Sequence, residues 1–132
     1  MLNQKNIVIE GKPLSKARPR FRRHGNKVIT YNSQSKEEKS LGWKLRDAYV
    51  DQEPLEGPVD LNVLFVFEKT KSKNINDYHT TVPDIDNLLK FLCDAANGIL
   101  WRDDRQVARM SASKIYGESA RTIITVSEID ED

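Results

Sequence analysis

The chain has 132 residues, is 38% hydrophobic and 31% charged, and therefore suits one compact domain, residues 1–132, with little room for a second. No apolar run approaches the roughly 18 residues that a membrane span needs, and the N-terminal segment lacks an apolar stretch long enough for a secretory signal. The single cysteine, Cys93, excludes an internal disulfide. We therefore expect a cytoplasmic protein with no membrane partner.

The first half of the chain predicts a strand, a basic segment and a helix. The apolar run at residues 7–10 predicts a strand, which a Gly and a Pro end. Residues 16–31, KARPRFRRHGNKVITY, carry a turn signal between two runs, so they fit either a basic β-hairpin or a flexible basic loop. Ser33 or Ser35 could then cap a helix that runs to about residue 50, since apolar residues follow at helical spacing.

The second half begins with a strand and a loop that lead to a second helix. Residues 59–67, VDLNVLFVF, alternate well enough for a strand of a half-buried sheet. Residues 69–81 are polar and predict a loop. The helix predicted over residues 84–97 is followed by Gly98, a residue type that often ends helices with a positive φ.

Two further strands are predicted at the end of the chain. Residues 106–116 and 121–129 alternate and are joined by Gly-Glu-Ser, which is typical of a closing hairpin. The sum predicts an α+β fold, a small mixed β-sheet of four to five strands with two main helices in a single domain. Such a fold class decides no function by itself.

The net charge of +1 conceals a basic and an acidic half. Residues 1–50 contain twelve Lys and Arg against four Asp and Glu, whereas residues 51–132 contain nine against sixteen. The cations of the first half suit a polyanion, and clustered carboxylates in the second half suit a metal cation. The alternative is an ordinary charged surface with a chance bias.

The helix over residues 84–97 has one apolar and one charged side. Asp86, Lys90 and Asp94 recur every four residues and share the charged side. A purely structural explanation exists for them, because Asp84 suits an N-cap and Asp86 suits the positive end of the helix dipole. Asp86 and Lys90 also suit an i,i+4 ion pair, and each such contribution is worth about 0.3–1 kcal/mol.

Asp103 and Asp104 are harder to explain structurally. They follow the C-terminus of the predicted helix, where negative charge is mildly unfavourable. Several carboxylates near one point repel each other unless a cation lies among them, and Mg²⁺ prefers oxygen ligands of this kind. Short acids at the helix start and in the turn after its end therefore predict a Mg²⁺ site.

These motifs resemble the RusA family of Holliday junction resolvases. The resemblance rests on PDIDNLLK, DAANG and WRDDRQV in the second half of the chain, and on Gly-Lys-Pro, KARPR and Tyr31 in the first half. It covers most of the chain, and the motifs are specific in combination. Asn32 departs from the family pattern, which often has a Pro there, and the acidic C-terminal tail is short.

The resemblance implies a homodimeric endonuclease that resolves a four-way DNA junction in recombination and repair with Mg²⁺, for which Mn²⁺ can substitute. The essential acids would be Asp84, Asp86 and Asp104, and the essential lysine would be Lys90. Asp103 would be a further metal ligand or a group that supports the ligands. No small-molecule cofactor is expected, and the protein would act at the nucleoid.

Basic residues before the acids are predicted to bind DNA phosphates, which makes binding salt-dependent. The predicted DNA-binding residues are Lys12, Lys16, Arg18, Arg20, Arg22, Arg23, Lys27, Lys69, Lys71 and Lys73. A zinc site is not expected, because His24 and His79 lie far apart without a Cys partner at metal spacing. A serine hydrolase is not expected either, because no G-x-S-x-G motif is present.

Three other functions remain open at this point. The protein could bind nucleic acid without cutting it, with the acids serving as caps or as solvated groups. It could be a Mg²⁺ nuclease that acts on another branched DNA or on RNA. It could also be a small interaction protein whose basic and acidic halves pair between molecules.

Overall fold

The computed structural model describes residues 2–16, 20–31, 34–49 and 52–130. Its elements in chain order are β1 (Leu2–Glu10), β2 (Arg20–His24), β3 (Lys27–Tyr31), α1 (Ser35–Ala48), β4 (Val59–Glu68), α2 (Ile85–Ala96), a 3₁₀ turn (Asp104–Gln106), β5 (Val107–Gly117) and β6 (Arg121–Glu128). The predicted α+β class is confirmed. In these ranges, no helix is long and apolar enough to cross a membrane.

The main sheet has four strands in the order β1-β6-β4-β5. β4 pairs in parallel with β5 and antiparallel with β6, and β6 pairs antiparallel with β1. Strands β2 and β3 form a separate two-stranded sheet. The basic segment therefore contains a hairpin, which decides between the two structures that its sequence allowed.

The predicted closing hairpin is wrong, because β5 and β6 do not pair with each other. β4 lies between them, and residues 118–120 pass over its end, from Gly117 opposite Glu68 to Arg121 opposite Val66. The apolar run at the end of β4 is buried on both sides, as expected of a central strand with two neighbours. This nonlocal pairing outweighs the local turn signal.

Both helices pack on one core. The core contains alternate residues of β4, namely Leu61, Val63 and Phe65, together with the buried side of α2. Leu88 and Leu92 of α2 are buried there as the predicted apolar stripe requires. The charged side of α2 is therefore directed away from the core.

The end of α2 is fixed by a glycine and a tryptophan. Gly98 has φ of 81°, a conformation that favours glycine, which confirms its predicted place after the helix. Trp101 is fully buried, and its backbone forms a parallel bridge with Leu55. This packing holds the turn that carries Asp103 and Asp104 against the body of the domain.

Candidate active site

The chain enters α2 along the edge of the sheet. Residues 76–79 run beside the outer edge of β5, where Tyr78 forms a bridge with Ile115 and the His79 N–H donates to the Lys114 carbonyl at 3.0 Å. The Lys114 ammonium then donates to the carbonyl oxygens of Thr81 and Pro83, at 2.7 Å each. These two bonds, here called the Lys114 clamp, hold the backbone immediately before Asp84.

Asp84 and Asp86 lie at the positive end of α2, but the described residues show neither the capping bond nor the ion pair to Lys90 that their positions suggest. Asp84 occupies the N-cap position of α2, but its side chain makes no capping hydrogen bond. Asp86 lies in the first turn and Lys90 one turn later, both exposed, and no ion pair joins them within the described residues. Two carboxylates and an ammonium group on the described surface are thus left open to a ligand.

Asp103 and Asp104 lie beyond the other end of α2. Asp103 caps the 3₁₀ turn, since its Oδ1 accepts from the Arg105 N–H at 3.0 Å and its own N–H donates to Gln106 Oε1 at 2.8 Å. Asp104 Oδ1 accepts from the indole Nε1–H of Trp101 at 2.6 Å. Asp103 therefore has a structural role, whereas Asp104 is held in place by a buried side chain.

The electrostatic environment disfavours the charge on Asp104. Burial raises the pKa of this carboxyl, the Trp101 hydrogen bond opposes that increase, and the nearby Asp94 and Asp103 raise the pKa further. Burial raises the pKa of the Cys93 thiol to about 12, and the charges of Asp104 and Asp94 contribute to that increase. A cation beside Asp104 would relieve this repulsion.

Lys16 is a cation that the protein itself places near these acids. Its ammonium lies 3.0 Å from Asp94 Oδ2 and 3.4 Å from Glu38 Oε2, and these partners, Asp94 foremost, raise its pKa despite partial burial. The Lys16 N–H also donates to the Asn87 carbonyl at 2.9 Å. The predicted DNA-binding role of Lys16 thus competes with a structural one, since Lys16 joins α1 to α2.

The acids fit a metal ion by their chemistry but form two separate groups. Asp84 and Asp86 lie at the start of α2, whereas Asp104 interacts electrostatically with Asp94 and Cys93. Asp94 follows Asp86 by eight residues, about 12 Å along the helix at 1.5 Å per residue. Within residues 2–16, 20–31, 34–49 and 52–130, no three Asp, Glu, His or Cys side chains form a group that could hold one ion. Mg²⁺ often uses only one or two carboxylates with water and substrate phosphate, which the exposed pair at the helix start can provide.

A groove beside Asp84 brings basic and acidic residues together. It has a volume of about 540 Å³, and its lining includes Lys12, Val82, Asp84 and Asn87. Residues 12–15, which directly precede the basic segment, form its other wall. The structure therefore places Lys12, a predicted DNA-binding residue, next to a predicted acid.

The other predicted DNA-binding residues are spread over two surfaces. Arg23 and Lys27 are exposed near the turn of the hairpin, whose β2 strand also contains Arg20 and Arg22, while Arg18 lies outside the described residues. Lys69 and Lys71 are exposed on the loop after β4. The Lys73 ammonium lies 5.9 Å from the centre of the Tyr116 ring.

Two supporting residues were not predicted from the sequence. Trp101 belongs to the WRDD motif, but its hydrogen bond to Asp104 was not foreseen. Lys114 alternates with Ala112 and Tyr116 on one side of β5, and a lysine between two such residues is a sequence signal that its ammonium has a partner. Both residues hold predicted site residues in place.

The residues of the site and the family to which the chain is similar point to the same class of protein. Unpaired carboxylates at a helix start, a neighbouring ammonium group and a groove shared with basic residues are what a metal-dependent, phosphodiester-cleaving enzyme requires. The sequence model of the family described as Endodeoxyribonuclease RusA matches residues 10–127. The chain belongs to the RusA endodeoxyribonuclease family and is thus an enzyme of the DNA-cleaving, metal-dependent class.

Two relatives extend this finding. The chain is 27% identical over 135 residues to the uncharacterized protein YqaN of Bacillus subtilis (strain 168), a match that covers 93% of this chain and 95% of YqaN. It is 32% identical over 73 residues to the crossover junction endodeoxyribonuclease rusA of Lactococcus phage r1t, covering 54% of this chain and 56% of the phage protein.

Proposed function

We propose that the protein resolves Holliday junctions by paired symmetric nicks, with Mg²⁺ as its metal, in DNA recombination and repair. The observation that carries this proposal is that Asp84 lines a groove with Lys12, and that neither Asp84 nor Asp86 two residues later has a capping bond or ion pair among the described residues. Support also comes from the family and from the phage relative, which is named a crossover junction endodeoxyribonuclease. We place this activity in the cytoplasm, at the nucleoid.

Asp84 and Asp86 would hold the metal, and Lys90 would stabilise the negative charge that develops on the phosphate during cleavage. A bound Mg²⁺, or Mn²⁺ in its place, would supply a Lewis acid and lower the pKa of a water molecule. Lys12 would hold a phosphate in the groove beside Asp84. The ligand roles predicted for Asp103 and Asp104 are part of the proposal. A bound cation would stabilise the Asp104 carboxylate most, because the surrounding protein disfavours its negative charge.

A homodimer would provide one active site for each of the two strands that must be cut. A four-way junction has two-fold symmetry, and a C₂ dimer presents the same surface twice in the matching arrangement. Two nicks made within one complex would leave no partly cut junction to dissociate. The dimer is therefore proposed from the symmetry of the substrate.

The first experiment measures cleavage of a mobile four-way junction, a linear duplex and a single strand, with Mg²⁺ and in EDTA. We expect paired nicks on the junction alone, only with Mg²⁺, and at least about 100-fold slower cutting by Asp86→Asn. Asp130→Asn, which changes an exposed carboxylate just beyond the end of β6, is the matched control and should cut like the wild type.

Two of the alternative functions have their own outcome in this experiment. Tight junction binding in EDTA without cutting under any divalent metal would show a binding protein with structural acids. Equal cutting of the junction, the linear duplex and the single strand would show a less selective nuclease. Normal cutting by Asp86→Asn would remove this carboxylate from the proposed site.

A further inference from the structure

Helix α1 exposes a large aromatic side chain that the proposed chemistry does not use. Trp43 is 66% exposed, although a tryptophan gains much more free energy when its ring is buried. The guanidinium of Arg46 lies 5.7 Å from the centre of its ring. A single exposed apolar residue is common on protein surfaces, so the residues around Trp43 decide whether it has a function.

Positively charged residues flank Trp43 along one face of α1. Lys36, Lys39, Trp43 and Arg46 follow one another at spacings of three, four and three residues, which places them on one helical face. All four are exposed, and the two lysines form no ion pair within the described part of the chain. We call these four residues the Trp43 face, and Asp47 borders it.

A groove of about 460 Å³ runs beside the Trp43 face, between α1 and the end of α2. Gly42, Ala95 and Ile99 give it a low apolar floor, and Lys39 and Arg46 line it together with Trp43. Gly42 faces this floor, since a Cβ built there would be in ordinary van der Waals contact with Ile99 Cδ1 at 3.5 Å. A flat aromatic group can therefore rest against both the indole and the floor.

The negative charges of the two acids that line this groove are partly neutralised, so they repel an anion less than isolated carboxylates would. Glu38 and Asp94 also line the groove, and the Lys16 ammonium lies between them at 3.4 Å and 3.0 Å. Asp94 belongs to the charged side of α2 and lies near Asp104. The groove therefore reaches the charged side of α2 at Asp94, eight residues after Asp86.

The charges of the Trp43 face select among the partners that an exposed tryptophan could have. A second copy of the chain bound through the same face would bring two sets of cations together, which is unfavourable in a two-fold symmetric contact. Nucleic acid offers the complementary combination, because phosphates suit the lysines and the arginine while a base suits the indole. In an intact duplex the bases are stacked inside and cannot reach the ring.

We propose that the Trp43 face binds DNA at an opened branch point, with an unpaired base stacked on Trp43 and flanking phosphates held by Lys36, Lys39 and Arg46. This inference rests on the proposed junction-cutting function and adds a determinant of substrate choice to it. Because only branched or single-stranded DNA presents an unstacked base, Trp43 favours junctions over linear duplex.

The two tryptophans of the chain allow a direct test by fluorescence. Trp101 is fully buried and Trp43 is exposed, so quenching of the intrinsic emission by added DNA reports on Trp43. In EDTA, which prevents cutting, we expect a four-way junction to quench the emission and a linear duplex to quench it much less. Trp43→Phe should remove this quenching while it keeps most of the junction affinity.

Affinity measurements separate stacking from charge. Trp43→Ala should weaken junction binding by about 5- to 150-fold, the range for one lost base stack, and change duplex binding little. Lys39→Gln should weaken both and lower the slope of log K against log salt by about one. Lys44→Gln is the matched control, because Lys44 is exposed on α1 but lies outside the Trp43 face.

The outcomes distinguish this inference from the proposed function. If the wild type cuts junctions but Trp43→Ala binds and selects them equally well, the Trp43 face is not a DNA contact. If Trp43→Ala converts a dimer to a monomer in light scattering, the face joins copies of the chain and the inference is overturned. If the wild type neither binds nor cuts junctions, the proposed function fails first, and the inference fails with it.

Discussion

Replacing Lys114 by Met tests whether one ammonium group holds the entrance to α2. The Lys114 clamp consists of two hydrogen bonds of 2.7 Å, to the carbonyl oxygens of Thr81 and Pro83. Methionine keeps the apolar stem of the side chain and removes the donor. The backbone before Asp84 then loses its attachment to β5, while the core around the strand is preserved.

The two lost bonds set the size of the effect. A hydrogen bond to a charged group contributes about 1.5–3 kcal/mol, and the exposed bond to Thr81 belongs at or below the lower end of that range. We expect a loss of about 2–3 kcal/mol in the free energy that keeps this segment closed, within a total stability of about 5–15 kcal/mol. Cutting at saturating junction should fall about tenfold or more, with little change in junction affinity, because the acids are less well positioned.

An NMR titration of His79 checks the geometry of the clamp without any activity assay. His79 is buried, which lowers its pKa, and the charges of Lys114 and then Lys73 lower it further. Removing the Lys114 charge should therefore raise the pKa of His79 towards its usual value. His24 is the other histidine of the chain and serves as the internal reference.

Two further variants complete this experiment. Lys114→Arg keeps donors at the same position and should restore most of the cutting rate, which a general loss of folding would not allow. Lys5→Met changes a lysine on β1, the opposite edge strand of the sheet, and should cut normally. An unchanged pKa of His79 together with normal cutting in Lys114→Met would refute the clamp.

Three other changes test the described structure. Asp104→Asn should raise or preserve the melting temperature in EDTA at neutral pH and still reduce Mg²⁺-dependent cutting at least about 100-fold. Because folding raises the pKa of Asp104, the wild type should lose stability relative to this variant as the pH rises from 3.8 through the raised pKa. A stability difference that does not change with pH would contradict this. Gly117→Ala should lower the free energy of unfolding, measured by chemical denaturation, by about 1–3 kcal/mol, because the new Cβ would lie 2.6 Å from Val66 Cγ1. Gly42→Ala, whose nearest contact is at 3.5 Å, should leave this free energy unchanged or raise it by up to about 1 kcal/mol. Cys93, with its pKa raised to about 12, should react slowly with a thiol reagent at a pH of about 8 in the folded protein and quickly after unfolding; fast labelling of the folded protein would exclude its burial.

The features of α2 were predictable from the sequence because they are local. The apolar stripe that contains Leu88 and Leu92 follows from helical periodicity, and Gly98 follows from the backbone conformation that ends a helix. The motif that contains Asp84 and Asp86, PDIDNLLK, also spans only a few consecutive residues. Such signals are complete within one element, so no knowledge of the rest of the fold is needed to read them.

Most features that sequence reasoning missed depend on pairings between distant parts of the chain, although the Trp101–Asp104 hydrogen bond joins residues only three positions apart. Nothing local distinguishes β5 and β6 as a hairpin from the same strands with β4 inserted between them. Lys16 was predicted to bind DNA, yet its partner Asp94 lies 78 positions later in the sequence. Lys114 likewise reaches back 31 residues to the carbonyl of Pro83.

The helix dipole explains why the two groups of acids differ in their hydrogen-bond and ion-pair partners. Asp84 and Asp86 lie at the positive end of α2, where a carboxylate is stabilised without a partner, and they have no capping bond or ion pair in the described structure. Asp94 and Asp104 lie towards the negative end, where a negative charge is unfavourable, and there the protein supplies the ammonium of Lys16 and the indole N–H of Trp101.

A metal that arrives at the start of the helix therefore displaces no internal partner in the described structure, whereas one that arrives at its end competes with Lys16. Under the proposed function, the first metal would therefore bind at the start of the helix, beside the groove that Lys12 lines.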